Sequence, residues 1–336
     1  MRLVKEKPWI TKEPIEGLTK EEWLEKRKGS IGGSEIGAIM GMSPYASAYS
    51  VYCERKGLWP AFEGNLATEV GTMLEEFVAR KFATLIGLTV NRTNFIWKNE
   101  HHPHLHASPD RLIIGDKRKP MAGLECKTTG EYSAAKVHGC DFPLIYYSQC
   151  VQYMMVTELP VWYLAVLVGN REFHIFGLSV NNAVEKPDWC ESMVYVPQSD
   201  MDALQDAANE FWQQLETDTP PAPDGSKATG DAMKIVYADT KEGNADLWGR
   251  ETLLEQYMDE KAQADKHDKE AQRLAQMIQV EMNGCETGEC LGYKVKWKMQ
   301  PGRASFDYKA CVAANPDMGI YLKQGAPFRK FEVKKV

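Results

Sequence analysis

The 336-residue chain carries 47 acidic and 40 basic side chains, a net charge of −7. That balance excludes a protein that coats nucleic acid indiscriminately through a basic surface, though not one with a local basic groove. No run is long and apolar enough to span a bilayer, and the first ten residues lack the apolar core of a secretory signal. The eight cysteines (Cys53, Cys126, Cys140, Cys150, Cys190, Cys285, Cys290 and Cys311) form no CxxC pair or regular framework. Reduced thiols and a cytoplasmic location are therefore expected.

Thr19 and Glu22 make a capping box, predicting a short helix through Trp23, Leu24 and Lys26. It delivers Arg27 and Lys28 to a glycine turn, Gly29-Ser30-Ile31-Gly32-Gly33, after which Ser34 is expected to cap a second helix reaching Met40. A basic residue, a glycine turn and a hydroxyl suit a phosphate group, and a capped helix with a stray arginine fits the same residues. Ser43-Pro44-Tyr45 is expected to start a helical stretch that ends at Gly57. Leu74, Phe77, Val78 and Leu85 recur at helical spacing, with Glu75 and Glu76 on different faces. Residues 90–97 read as one strand. His101, His102, His104 and His106 invite a zinc reading, but a zinc site draws ligands from separated segments plus a carboxylate or thiolate. A loop leading into Asp110 is the better reading.

Residues 108–127 organise the chain. Ser108-Pro109-Asp110 enters the β-prone run Arg111-Leu112-Ile113-Ile114, a polar turn follows, and Gly123-Leu124-Glu125-Cys126-Lys127 restarts a strand. Strand side chains alternate, so Glu125 and Lys127 share a face and Cys126 takes the other. Two converging carboxylates suit a hard divalent cation, and an adjacent lysine can hold or acidify a water for attack on a phosphodiester. An exposed Glu–Lys ion pair on a solvated strand would leave the same triplet.

A helix is expected over residues 143–154, with Gln149, Gln152 and Tyr153 on one face; buried glutamines need partners, which a phosphate or a metal-bound water would supply. The apolar run 161–168 reads as a buried central strand, followed by a hairpin turn at Gly169-Asn170, a strand over 172–178 and an amphipathic helix over 200–215. Proline and glycine make residues 217–230 a linker, giving a core of 1–216 and a C-terminal extension of 231–336. Within the extension, residues 245–282 lack proline and favour a helical arm or a packed helical hairpin. Lys294, Lys296 and Lys298 alternate on one strand face and fit either a DNA-backbone contact or ordinary edge protection.

The ordered set Arg27 with Gly32-Gly33-Ser34, Gly71-x-x-x-Glu75, Ser108-Pro109-Asp110, Glu125-Cys126-Lys127 and Gln149-x-x-Gln152-Tyr153 resembles the YqaJ-like viral recombinase family, relatives of bacteriophage lambda exonuclease, over about residues 20–215. The resemblance implies an α/β fold with a PD-(D/E)xK, restriction-endonuclease-like core, its mixed central sheet flanked by helices, plus a helical and small β extension. It further implies a 5′–3′ exonuclease acting on linear duplex DNA ends, releasing mononucleotides and leaving a 3′ overhang. Asp110, Glu125 and the Cys126 carbonyl would hold Mg²⁺ (or Mn²⁺), with two ions per site, and Lys127 would position or activate the attacking water. Glu75 and Gln149 would complete the site. Arg27, Ser34 and Gln152 would meet DNA and its 5′ phosphate. The same resemblance implies a homotrimeric ring, a single-strand annealing partner, and a phage or prophage origin in a bacterial cell. Arg111 departs from the glycine that many relatives carry after the aspartate, and the chain runs about a hundred residues beyond the core. An endonuclease or repair nuclease of the same fold, and an inactive DNA-end-binding scaffold, are the alternatives.

Overall fold

A six-stranded mixed sheet carries the fold. The structure, a computed structural model, describes residues 7–60, 64–115, 118–131, 134, 137–239, 241–302, 307–315, 317 and 333. Two compact units divide the chain, Met1–Asp239 and Thr240–Val336. In the first, β1 (Ile10–Pro14) precedes α1 (Lys20–Arg27), α2 (Gly33–Ile39), α3 (Ala48–Arg55) and α4 (Leu66–Ile86). Five strands follow: β2 (Thr89–Arg92), β3 (Phe95–Asn99), β4 (His106–Ala107), β5 (Arg111–Ile114) and β6 (Pro120–Thr129). Helix α5 (Leu144–Thr157), β7 (Val161–Val168), β8 (Glu172–Ser179), β9 (Ser192–Tyr195), α6 (Gln198–Glu216) and α7 (Lys227–Val236) come after them.

The main sheet runs β2-β5-β6-β7-β8-β9. Neighbours β5 and β6 are antiparallel, as a hairpin requires, whereas β6 and β7 are parallel. A parallel pair needs a crossover, and α5 supplies it. The continuous apolar run of β7 is explained by burial on both faces. Leu164, Val166 and Val168 pack with Cys150, Val151 and Met154 of α5, while Tyr163 and Ala165 pack with Val78, Ala79 and Phe82 of α4. The β5–β6 hairpin beside it shares the same two helices, Leu124 and Cys126 packing on the α4 side and Leu112 on the α5 side.

Three expectations are refined by long-range pairing. Residues 90–97 are not one strand: Thr89–Arg92 joins the main sheet, while Phe95–Asn99 joins a separate three-stranded sheet with β1 and β4. Helix α3 starts later than Ser43, because the reciprocal caps of Ser47 and Ser50 set its first turn. Residues 217–230 do not separate two bodies. Helix α7 begins at Lys227 and buries Thr229 and Ala232, and the Thr229 hydroxyl lies 2.7 Å from Ser47 Oγ. The first unit accordingly continues to Asp239.

In the second unit, residues 251–282 form one uninterrupted helix, α8 (Glu251–Met282), stopped by Asn283 in the left-handed region at φ 46°. At 1.5 Å per residue it is roughly 48 Å long, a helical arm rather than a hairpin. It is followed by the β-hairpin β10 (Thr287–Cys290) and β11 (Tyr293–Lys296), in which Lys294 and Lys296 are exposed. Among the described residues no helix is long and apolar enough to cross a membrane.

Candidate active site

The alternation of β6 is kept as the sequence requires. Leu124 and Cys126 face α4, while Glu125 and Lys127 are in register with Leu164 and Val166 on the α5 side. Glu125 is 2% exposed. Its Oε1 accepts from Lys127 Nζ at 2.6 Å and from Gln149 Nε2 at 2.6 Å. Among the described residues its Oε2 is buried without a hydrogen-bond partner. Such an oxygen is costly unless something positive meets it. Asp110, at the mouth of β5, accepts the Cys126 amide on Oδ2 at 2.8 Å. A strand residue sends its N–H and C=O toward the same neighbour, so the Cys126 carbonyl also faces Asp110.

The electrostatics follow from crowding. Burial, then the nearby Glu125 charge, pushes the Asp110 carboxyl well up, and burial pushes Glu125 up as well. Burial alone would lower the Lys127 ammonium, but the Glu125 and Asp110 carboxylates override it and hold it above the ordinary lysine range. Lys127 therefore stays an ammonium at neutral pH. Two buried, mutually repelling carboxyls, one with an unpartnered oxygen, and a backbone carbonyl offer an all-oxygen donor set. That set fits a hard divalent cation such as Mg²⁺.

Glu75 reaches the site through Arg111, a residue whose role sequence reasoning left unassigned. The Arg111 side chain, 3% exposed, sends Nη1 to Glu75 Oε1 at 2.5 Å and Nη2 to Glu76 Oε2 at 2.9 Å. Nη1 also donates to the Asp110 carbonyl at 2.8 Å. Both successive glutamates thus reach one guanidinium, although helical spacing puts them on different faces. The alternation of β5 turns Arg111 toward α4, and a buried arginine there demands acidic partners.

Gln149 and Gln152 part company. Gln149 bridges Glu125 and the Tyr153 hydroxyl, the latter at 3.1 Å. Gln152 is fully buried, and its Nε2 donates to the carbonyls of Ile31 at 2.9 Å and His106 at 2.8 Å. Its amide nitrogen ties the loop at Ile31 to the segment at His106, while its Oε1 is buried without a hydrogen-bond partner among the described residues. Those loops carry the basic pocket. Arg27 stacks 4.3 Å over the Trp23 ring, donates Nε–H to His106 Nε2 at 3.2 Å, and brings Nη2 to Ser34 Oγ at 3.4 Å.

His106 is the residue that sequence reasoning missed. It is 1% exposed, with Nδ1 2.9 Å from Ser30 Oγ. Burial, then the Arg27 charge, lowers its pKa to about 3, so the ring is neutral and can accept from Arg27. Its three neighbours take separate partners: His101 stacks on Trp9, His102 meets Gln205 Oε1, and His104 stacks on Trp212. Nothing in the imidazole-rich sequence distinguishes the buried ring from the others. A bidentate Arg55–Glu35 pair, with Arg55 also donating to the Ser30 carbonyl at 2.7 Å, fixes the glycine turn from behind. Gly33 joins the two halves of the site. A Cβ there would fall 2.5 Å from Tyr153 Cε1 and 2.9 Å from Gln149 Cγ.

Residues 22–160 match the YqaJ-like viral recombinase domain, and all the residues placed above from Arg27 to Gln152 lie within that span. Over 325 residues the chain is 29% identical to the uncharacterised protein YqaJ of Bacillus subtilis (strain 168), covering 95% of each. An alkaline exonuclease (LHK-Exo) from Laribacter hongkongensis is structurally similar at TM-score 0.42 and 20% identity, over 60% of this chain and 94% of that one. A phage related exonuclease from Haemophilus somnus 129PT gives TM-score 0.40 and 13% identity, over 56% and 96%. The likeness to the YqaJ-like viral recombinase domain is thus carried by residues 22–160, on a mixed α/β core built around the six-stranded sheet.

Proposed function

We propose that this chain is a divalent-metal-dependent exonuclease that digests one strand of linear duplex DNA from its 5′ end, releasing mononucleotides and leaving a 3′ single-stranded overhang. The observation that carries the reading is Glu125 Oε2, buried without a partner among the described residues while Oε1 is held by Lys127 and Gln149. Asp110, Glu125 and the Cys126 carbonyl would hold the cation, Mg²⁺ or Mn²⁺, and two ions per site belong to the same reading. Bound there, it supplies Lewis-acid charge to the phosphodiester and a hydroxide nucleophile near neutral pH. Lys127 orients the attacking water as a hydrogen-bond donor. Gln149 fixes Glu125, and Glu75 adds negative charge next to the ligand set.

Arg27 and Ser34 suit the terminal 5′ phosphate, because a guanidinium gives paired, charge-assisted hydrogen bonds to phosphate oxygens. Gly33 keeps that pocket against Gln149 and Tyr153, one residue from the acidic centre. Recognition of an end and attack on the adjacent linkage are then contiguous. The viral recombinase domain match supports a nuclease that acts on DNA. A homotrimer around the duplex and a single-strand annealing partner that takes up the 3′ overhang extend the same reading, consistent with a net charge of −7 on the chain. A phage or prophage nuclease of this kind would work in the bacterial cytoplasm.

The test uses linear duplex DNA with a single 5′ phosphate, labelled on either strand, beside a closed circle, in Mg²⁺ or EDTA. Mg²⁺-dependent loss of the 5′-phosphorylated strand with the circle intact is expected. Cut circles would move the reading to an endonuclease, and tight end binding with no cleavage would move it to a scaffold. Lys127→Ala is expected to reduce cleavage by about 100-fold while leaving end binding in place.

A further inference from the structure

Outside the acidic centre, a second group of side chains converges on one point. We infer that His138, Glu172 and His174 form a Zn²⁺ site that ties the segment after β6 to strand β8. Their ligand atoms all lie within 4.8 Å of one another. Glu172 Oε2 is 2.6 Å from His138 Nε2 and 3.0 Å from His174 Nε2. Two residues apart on β8, Glu172 and His174 share a face, and their register partners Val168 and Val166 lie on the α5 side.

The donor set differs from that of the nuclease centre. Two imidazole nitrogens with one carboxylate select a borderline ion such as zinc over Mg²⁺, and three protein ligands leave a fourth position for water. Zinc bonds of about 2.0–2.1 Å place tetrahedral ligands roughly 3.3 Å apart, so Glu172 Oε2 must draw off His174 Nε2 by about 0.3 Å and off His138 Nε2 by about 0.7 Å. His138 and Glu172 are 44% and 47% exposed and have the freedom to do so. His174, only 16% exposed, is already oriented: Glu191 Oε1 sits 2.7 Å from Nδ1, and the ring stacks on Phe176. A carboxylate on the far ring nitrogen sets the tautomer that leaves Nε2 free as a ligand.

The location gives the site its consequence. His138 belongs to the connection between β6, which bears Glu125 and Lys127, and α5, which bears Gln149. Lys127, Val166 and His174 are in register on three adjacent strands, so two strand spacings, roughly 10 Å, separate the two centres along the sheet. Zinc would pin that connection to β8 without sharing a ligand with the acidic centre. Its role is a structural tie.

The test is zinc uptake by the full chain after chelator dialysis, measured by competition with a chromophoric chelator, beside a thermal melt with and without Zn²⁺. The parent should bind one tight equivalent more than His138→Ala or His174→Ala, and only the parent should gain Tm on adding zinc. Asp110→Asn should keep that equivalent, which separates the site from the nuclease centre. Glu191→Gln should weaken uptake by about tenfold. Glu172→Gln serves as a second variant should either alanine variant fail to fold. Exposed Cys285 and Cys290 contribute the same background in every variant. Equal uptake and equal Tm gain in the parent and the folded His138, His174 and Glu172 variants would overturn the assignment and leave a hydrogen-bonded ion-pair cluster.

Discussion

Arg111 Nη1 lies 2.5 Å from Glu75 Oε1, so a buried guanidinium joins α4 to the strand that begins beside Asp110. The same group also reaches Glu76. Breaking a buried ion pair from one side leaves a charge without its partner. Arg111→Met should therefore cost about 2 kcal/mol, less than for a fully buried pair because Glu75 and Glu76 retain some solvent. The double variant Arg111→Met/Glu75→Gln should recover part of that loss. Urea melts of the two variants check this, and an equal loss in both would show that packing rather than charge is at stake.

Asp110→Asn should stabilise the metal-free protein. Asparagine keeps an oxygen for the Cys126 amide while removing one of two repelling carboxyls. Because burial and Glu125 raise the Asp110 pKa, its ionisation weakens the fold as pH rises through the ordinary aspartate range. The gain in Tm, roughly 2 °C in EDTA at neutral pH, should disappear below about pH 3.9, where the parent carboxyl is protonated in both states. The Mg²⁺-dependent rise in Tm expected of the parent should be lost. A melt series in pH, with EDTA or Mg²⁺, reads both effects.

His106 gives the opposite pH dependence. Its folded pKa of about 3 lies below the ordinary 6.5, so the unfolded chain takes up a proton first as pH falls. Stability from the neutral ring is complete above pH 6.5 and is lost between 6.5 and 3. By pH 5 the loss is about 2 kcal/mol. His106→Gln should show a smaller drop in stability between pH 7.5 and 5 than the parent, as measured by denaturant unfolding at the two pH values.

Arg27→Ala should weaken end selection rather than chemistry. A charge-assisted hydrogen bond to phosphate contributes about 1.5–3 kcal/mol, so preference for a 5′-phosphate end over a 5′-hydroxyl end should fall at least about tenfold. Competing the two ends in one reaction gives the ratio directly. An unchanged ratio would remove Arg27 from phosphate recognition.

Gly33→Ala tests whether the two halves of the site must touch. The added methyl meets Tyr153 and Gln149, which cannot retreat without giving up the bond to Glu125. A cost of about 2 kcal/mol is expected, together with reduced cleavage. Stability and turnover should fall together. Full activity in a destabilised variant would show that α2 can shift without disturbing Gln149.

Much of the site was legible in local stereochemistry. Strand side chains alternate, so Glu125 and Lys127 had to share a face once residues 120–129 were a strand, and Asp110 had to stand at the mouth of the hairpin. The apolar run of β7 likewise announced a strand buried on both faces, and helical spacing put Gln149 and Tyr153 together. These features depend on backbone periods that the sequence displays over a few residues. Tertiary structure decided which groups meet across long separations. Gln149 and Gln152 look equivalent on one helix, yet one reaches Glu125 and the other the carbonyl of Ile31, 121 residues away. His106 was chosen from four neighbouring imidazoles by its burial against Ser30 and Arg27. Arg111 gathered two glutamates from a helix some 35 residues upstream. Partner choice of this kind is set by the packing of distant segments and by the cost of leaving a buried polar group unmet, and neither is expressed in any local window of the chain.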